Sequence, residues 1–276
     1  MKIVDAHLHL FDNSNGWADE VAKRVGHRSS EEHLRQTYAE LGMVHGVIMG
    51  NRSLNPENHS YAQDLFHYCV GFDSHIMEDG FDISTAYELA ELNLRRDSCC
   101  GVKLYPGYNK ISLANDFYKP IYKLAAKYEK PVAVHTGLTA HSQAHLKYCH
   151  PLVLDEVAAD NSRTRFVMCH FGNPFFDGAA AVLAKNPNVC ADLSGFLDGM
   201  VDLDAYFADQ AGYVFLLKSW LAASNGWDKI MYGTDWPIVN LEQYINFVKR
   251  LIPEKHWNNV FFNNANRIYG LGLKTE

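Results

Sequence analysis

Short apolar runs bounded by glycine, proline, asparagine or aspartate alternate along this chain with stretches whose apolar positions recur every three and four residues. The first pattern predicts strands and the second helices. Strands are expected at 2–9 (KIVDAHLH), 44–50 (VHGVIMG), 69–77, 101–106 (GVKLYP), 131–137 (PVAVHTG), 164–172 (TRFVMCHFG), 188–195 (NVCADLSG) and 228–237 (DKIMYGTDWP). Helices are expected in EEHLRQTYAELG, ending at Gly42, in SYAQDLFHYC, over 83–96, in FYKPIYKLAAKYEK, near 151–160, and in GAAAVLAKNP, YVFLLKSWLAAS and LEQYINFVKRLI. A last helix, NNANRIYGLGL, is expected to pack on the outside. Near-continuously apolar strands alternating with helices imply a parallel sheet covered on both faces. Eight such units in 276 residues suit an α/β fold closed into a (β/α)8 TIM barrel, which typically needs about 250 residues. The expected organisation is one barrel domain over 1–276. No G-x-G-x-x-G follows the first strand, so an open dinucleotide-binding sheet lacks support.

Composition narrows the class. With 47% hydrophobic and 21% charged residues the chain reads as an ordered globular protein. A net charge of −7 weighs against nucleic-acid binding. No apolar run is long enough to span a membrane, and Asp5, His7 and His9 interrupt the opening run where a signal peptide would be apolar. The six cysteines form no C-x-x-C pair, and a reducing cytoplasm fits them best.

The chemistry gathers at the strand ends, which face the active site in such a barrel. Strand one ends in Asp5, His7 and His9, with all three expected on one face and Asp5 deeper. Strand four offers Lys103 and Tyr105, strand five His135, strand six His170, strand seven Asp192 and strand eight Asp235. Singly, each has a plain structural reading: a strand-end histidine is usually just hydrogen-bonded, and Asp235 competes with Thr234 for a helix cap. Jointly they follow apolar runs where a buried charge is costly unless paired or ligated. Imidazole and carboxylate together suit zinc or a similar divalent ion.

VDAHLHL, GVKLYP, VAVHTG, FVMCHFG and YGTDWP, in this order from residue 3 to about 271, resemble the amidohydrolase superfamily. The likeness is greatest to its amidohydrolase-related (amidohydrolase 2) branch of metal-dependent hydrolases and decarboxylases. The resemblance implies a distorted barrel with one or two divalent ions at the strand ends. It implies His7, His9, His135 and Asp235 as ligands of a single ion, zinc first and manganese as the alternative. Asp235 would also act as the base that takes a proton from a metal-activated water, whose pKa falls from about 15.7 toward 7. His170 would polarise the substrate carbonyl or hold the oxyanion. Some superfamily members carry a carboxylated lysine that bridges two metals. Lys103 stands at about that place, and His135 and His170 would then hold the second ion. The other reading of Lys103 is an ammonium paired with a carboxylate.

Substrate contacts are expected from Arg52, a bidentate clamp for a carboxylate or else a solvated loop residue. Tyr105 and Trp236 are expected to form an aromatic wall, unless Trp236 packs beneath the strand-eight loop. His141, His145 and His150 read as exposed loop residues. The expected function is a hydrolase acting on an amide, ester or lactone bond of a small molecule, its substrate bearing a carboxylate. The alternative is a non-oxidative decarboxylase or hydratase of an unsaturated or aromatic acid. A purely structural metal site is disfavoured, because such sites are usually closed and rich in cysteine. Neither nucleic acid nor membrane is expected as a partner, and a homo-oligomer is left open.

Overall fold

The computed structural model describes residues 1–11, 16–50, 53–72 and 82–275. Eight parallel strands follow one another in sheet order: β1 (Ile3–Leu8), β2 (Met43–Met49), β3 (Phe66–Phe72), β4 (Cys99–Leu104), β5 (Val132–Val134), β6 (Phe166–Met168), β7 (Val189–Asp192) and β8 (Ile230–Met231). The ring returns on itself where the Ala6 amide donates to the Tyr232 carbonyl (2.9 Å) and the His9 amide to that of Trp236 (2.8 Å). This is a TIM barrel.

Strand alternation sorts the core. Val4, Ala6, Val47, Met49, Cys69, Ala133, Val167, Cys169, Cys190 and Met231 form an inner cluster. Their sequence neighbours Ile48, Tyr68, Val70, Val132, Phe166, Val189 and Ile230 pack outward against the helices. The helices are α1 (Gly16–Arg24), α2 (Glu31–Leu41), α3 (Ile83–Leu94), α4 (Pro106–Asn109), α5 (Lys119–Lys127), α6 (Leu152–Asp160), α7 (Phe176–Lys185), α8 (Leu203–Asp209), α9 (Ala211–Ala223), α10 (Leu241–Leu251) and α11 (Asn264–Ile268). Their ends are locally encoded. Ser30 accepts from the His33 amide at the start of α2, and Gly42 ends it at φ 72°. Asn240 caps α10 through the Gln243 amide.

Three expectations are corrected. SYAQDLFHYC is not a helix: its second half begins β3, which starts at Phe66 rather than 69. Burial of Phe66 and Tyr68 between β2 and the helices outweighs a short helical recurrence. Residues 73–77 of the expected strand lie outside the described residues. The last helix is not on the outer ring. Ala265 and Ile268 join the inner cluster, and the Asn264 side chain donates to the Trp227 and Ile230 carbonyls. It thereby closes the end of the barrel where the strands begin. Asp5 does not share the face of His7, because Val4 and Ala6 point inward while Leu8 points outward. Alternation therefore breaks within β1, where its pairing with β2 also slips. Asp5 turns toward Tyr38 of α2 (3.3 Å) and the Thr234 hydroxyl (2.6 Å).

All six cysteines are free and buried. Among the described residues no helix is long and apolar enough to cross a membrane.

Candidate metal centre

The break in β1 brings His7 and His9 toward the turn that follows β8. Asp235 sits there at φ 61°, a left-handed backbone that a non-glycine residue adopts at a cost. Its amide and that of Thr234 both donate to the His7 carbonyl, at 2.8 and 3.1 Å. Asp5 pins the same turn by accepting from the Thr234 amide (3.0 Å) and hydroxyl (2.6 Å). Burial pushes the Asp5 carboxyl up to about 7, against these hydrogen bonds. Gly233 is required here, since a Cβ on it would stand 2.9 Å from that of His7.

The result is a convergent donor set. His7 Nε2 lies 3.3 Å from Asp235 Oδ1, and His9 Nε2 lies 3.2 Å from the same oxygen. His7, His9 and Asp235 form a group able to hold a metal ion. The His7 side chain is fully buried, and its Nε2 makes no hydrogen bond. Its Nδ1 donates to Asp192 Oδ2 at 2.9 Å, because a carboxylate only accepts. A buried nitrogen facing a carboxylate oxygen needs a cation between them, a proton or a metal. Without metal a proton serves: burial and Lys103 oppose it, yet Asp192 draws the proton affinity of His7 well above the ordinary imidazole range. Burial works against ionisation of Asp235, but the His7 and His9 nitrogens hold it well below the usual carboxylate range. His9 is lowered, chiefly by burial. The set therefore fits a divalent ion.

His170 lies in a tight turn after β6 at φ 63°. Its amide donates to Asp192 Oδ1 (2.9 Å) and its Nδ1 meets Ser194 Oγ at 2.8 Å. Its Nε2 is 3.1 Å from His135 Nδ1, and His135 Nε2 donates to the Leu138 carbonyl at 2.9 Å. Burial lowers both rings, His170 to about 4 and His135 well below the ordinary imidazole range, the latter with help from His170 and Lys103. His135 is thus brought against His170 and is absent from both groups that could hold a metal.

Lys103 is fully buried. Its Nζ lies 3.0 Å from Cys169 Sγ and 5.1 Å from the centre of the Tyr105 ring. It makes no ion pair among the described residues. Tyr105 donates to the Met49 carbonyl (3.1 Å), and its ring lies 6.4 Å from that of His135, with Tyr108 5.1 Å from His135 on another side. Trp236 is fully buried in the outer core, beneath the β8 turn. Arg52 lies outside the described residues. His141 and His145 are exposed and His150 is half-buried, all on the segment after β5. Sequence reasoning missed Ser194. The signal available was its place two residues after Asp192 in ADLSG, on the same face of an ending strand.

A barrel with histidines and a carboxylate converging at its strand ends has the build of a metal-dependent barrel enzyme. The chain belongs to the amidohydrolase family of the amidohydrolase-2 type: the family model described as Amidohydrolase matches residues 4–271. That family is metal-dependent, and its members are enzymes. Similar solved structures include an uncharacterised TIM-barrel protein from Bordetella bronchiseptica (TM-score 0.73, 18% identity, 98% of this chain and 99% of that one). A probable 2-pyrone-4,6-dicarboxylic acid hydrolase from Acinetobacter baumannii has TM-score 0.65 and 14% identity over 98% and 100% of the two chains. A 2,6-dihydroxybenzoate decarboxylase from Rhizobium has TM-score 0.65 and 15% identity over 98% and 99%. No curated protein matches the sequence. At these identities the structures share the fold.

Proposed function

We propose that this protein is a metal-dependent hydrolase that opens an amide, ester or lactone bond in a small, carboxylate-bearing molecule. The observation that carries this reading is the buried, partnerless His7 Nε2 held beside His9 Nε2 and Asp235 Oδ1. These three residues would hold one divalent ion, and imidazole with carboxylate suits zinc before manganese. Such an ion supplies Lewis acidity, which acidifies water and polarises a carbonyl.

The chain's residues do the rest. Asp235 Oδ1 faces the two histidines, while Oδ2 carries no hydrogen bond among the described residues and the side chain is 20% exposed. That free oxygen is placed to take a proton from the attacking water and return it to the leaving group. His170 Nε2 and His135 Nδ1 face each other beside the reacting centre, and in the neutral rings both are acceptors. Tyr105 and Tyr108 border these rings and bind the flat part of a substrate. Lys103, its Nζ 3.0 Å from Cys169 Sγ, is read as an amine, and the reading is of one ion rather than two.

The test offers the zinc-loaded protein small lactones, amides, esters, and unsaturated or aromatic acids, following proton release and carbon dioxide separately. Hydrolysis without carbon dioxide supports the reading. Carbon dioxide from the acids, with the lactones, amides and esters inert, replaces it with decarboxylation. A protein that takes up no zinc overturns both.

A further inference from the structure

Asp192 stands within reach of His7 and His170 in a group that could hold a metal ion. Its oxygens are already committed. Oδ1 accepts from the His170 amide (2.9 Å), the Ser194 amide (3.2 Å) and the Ser194 hydroxyl (2.5 Å). Oδ2 accepts from His7 Nδ1 (2.9 Å). The carboxylate is fully buried, and donors meet both of its oxygens, as an acceptor-only carboxylate requires.

Counting protons then fixes both rings. A hydroxyl has one hydrogen, and that of Ser194 goes to Asp192. Ser194 Oγ can therefore only accept from the ring nitrogens it touches, His170 Nδ1 at 2.8 Å and His7 Nδ1 at 3.2 Å. The Ser194 carbonyl, 3.2 Å from His170 Nδ1, also only accepts. Both Nδ1 atoms must carry hydrogen, and in the neutral rings both Nε2 atoms must carry the lone pair. From this accounting, resting on the proposed metal site, we infer that Asp192 is a positioning residue rather than a ligand: with Ser194 it selects the ring form in which His7 offers Nε2 to a metal and His170 offers Nε2 as an acceptor. It also revises the expected role of His170, whose neutral ring cannot donate through Nε2 to a substrate oxygen.

Asp192→Asn isolates the effect. The Oδ1 position faces two backbone amides and a hydroxyl donor, so the amide oxygen must stay there. The NH2 group then occupies the Oδ2 position and donates to His7 Nδ1. That reverses His7, placing its hydrogen on Nε2, and leaves His170 unchanged. The experiment is nitrogen-15 NMR of the histidine rings in zinc-free protein at alkaline pH, with zinc affinity measured by chelator competition. Wild type should show hydrogen on Nδ1 of His7 and His170. Asp192→Asn should show His7 alone reversed and zinc affinity lowered by about 10–100-fold, the usual effect of such outer partners. Hydrogen on Nε2 of His7 in neutral wild type overturns the inference even if the variant fails to fold. Unchanged zinc affinity in a folded Asp192→Asn also overturns it. Correct ring forms in a wild type that binds no zinc leave it standing and remove the proposed function instead.

Discussion

His170 Nε2 and His135 Nδ1 stand 3.1 Å apart and face each other inside the barrel mouth. Both nitrogens bear lone pairs when their rings are neutral. Ser194 holds the hydrogen of His170 on Nδ1, and the Leu138 carbonyl holds that of His135 on Nε2. The mouth thus contains two places where acceptors face each other, this one and the cleft between His7 and Asp235. The donor sets differ: the cleft has a carboxylate and two imidazoles, while the histidine pair has only each other. A divalent ion is better served by the first; in the second, burial keeps both rings neutral, so His170 Nε2 stays an acceptor.

Purified protein should accordingly hold close to one divalent ion per chain, by elemental analysis. His7→Ala and Asp235→Asn should each lose it and lower turnover by at least about a thousandfold, since the activated water goes with the ion. Circular dichroism should stay that of the wild type, because the strands keep their apolar partners. Lys103→Met should retain the ion. Two ions per chain, with added mass on Lys103, would refute the one-ion assignment.

The parts legible in the sequence were those encoded by local pattern. Eight apolar runs gave the barrel, and strand-end position brings His7, His9 and Asp235 to one mouth, whereas His135, expected in the same set, stands against His170. Asp5 was misplaced because a strict period of two cannot anticipate the slip in β1. The expected helix over 60–69 failed because Leu65, Phe66 and Cys69 satisfy a helical spacing and a strand equally well. The Gly46 amide settles it by bonding to the Leu65 carbonyl (2.9 Å), a contact between residues 19 apart in the chain. Ser194 was invisible for the same reason: its value lies in touching rings from β1 and β6, which no spacing within ADLSG expresses.

Metal uptake should weaken in acid. In the metal-free protein Asp192 raises the proton affinity of His7, against burial and Lys103, so at neutral pH an incoming ion displaces a proton. Lowering the pH favours the proton, and affinity should fall by about tenfold per unit where one proton is released. Zinc titrations between pH 6 and 8 would check the slope. A flat profile would mean that no proton occupies that cleft.

Stability should also fall in acid, through histidines away from the cleft. His27, His45 and His59 are buried, and burial lowers each from 6.5 to about 4. His170 adds in the same sense. Between these values the unfolded chain binds protons that the folded chain does not. Their contribution is complete above pH 6.5 and is lost as the pH falls toward 4, by about 1.4 kcal/mol per proton per unit at most. Asp5 runs the other way. Raised from 3.8 to about 7, it takes a proton in the fold first, and its contribution is lost as the pH rises. With His9 and His135 also lowered, the lowered histidines outnumber Asp5 and the raised His7 and leave net proton uptake on unfolding. Urea midpoints of metal-free protein should therefore drop from pH 6.5 to 4.5, and a level profile would contradict the buried neutral rings.

Gly195 separates backbone cost from site geometry. It sits at φ 68°, and a Cβ there would stand 3.0 Å from His170 Nδ1 and 3.2 Å from Asp235 Oδ2. Alanine would therefore strain the backbone and press on the hydrogen-bonded face of His170 and on Oδ2 of Asp235. Gly199 provides the control: its φ is 82°, with nothing within 4 Å of an added Cβ. A left-handed alanine costs about 1–2 kcal/mol at either position. Both variants should lose that much in urea unfolding. Only Gly195→Ala should also lose turnover, by at least about tenfold, because displacing a reacting group by a fraction of an ångström is costly to orientation. Zinc affinity should follow turnover in Gly195→Ala and stay at the wild-type value in Gly199→Ala. Equal behaviour of the two variants in turnover and zinc affinity would show that the close approach of Gly195 to His170 and Asp235 does not shape the site.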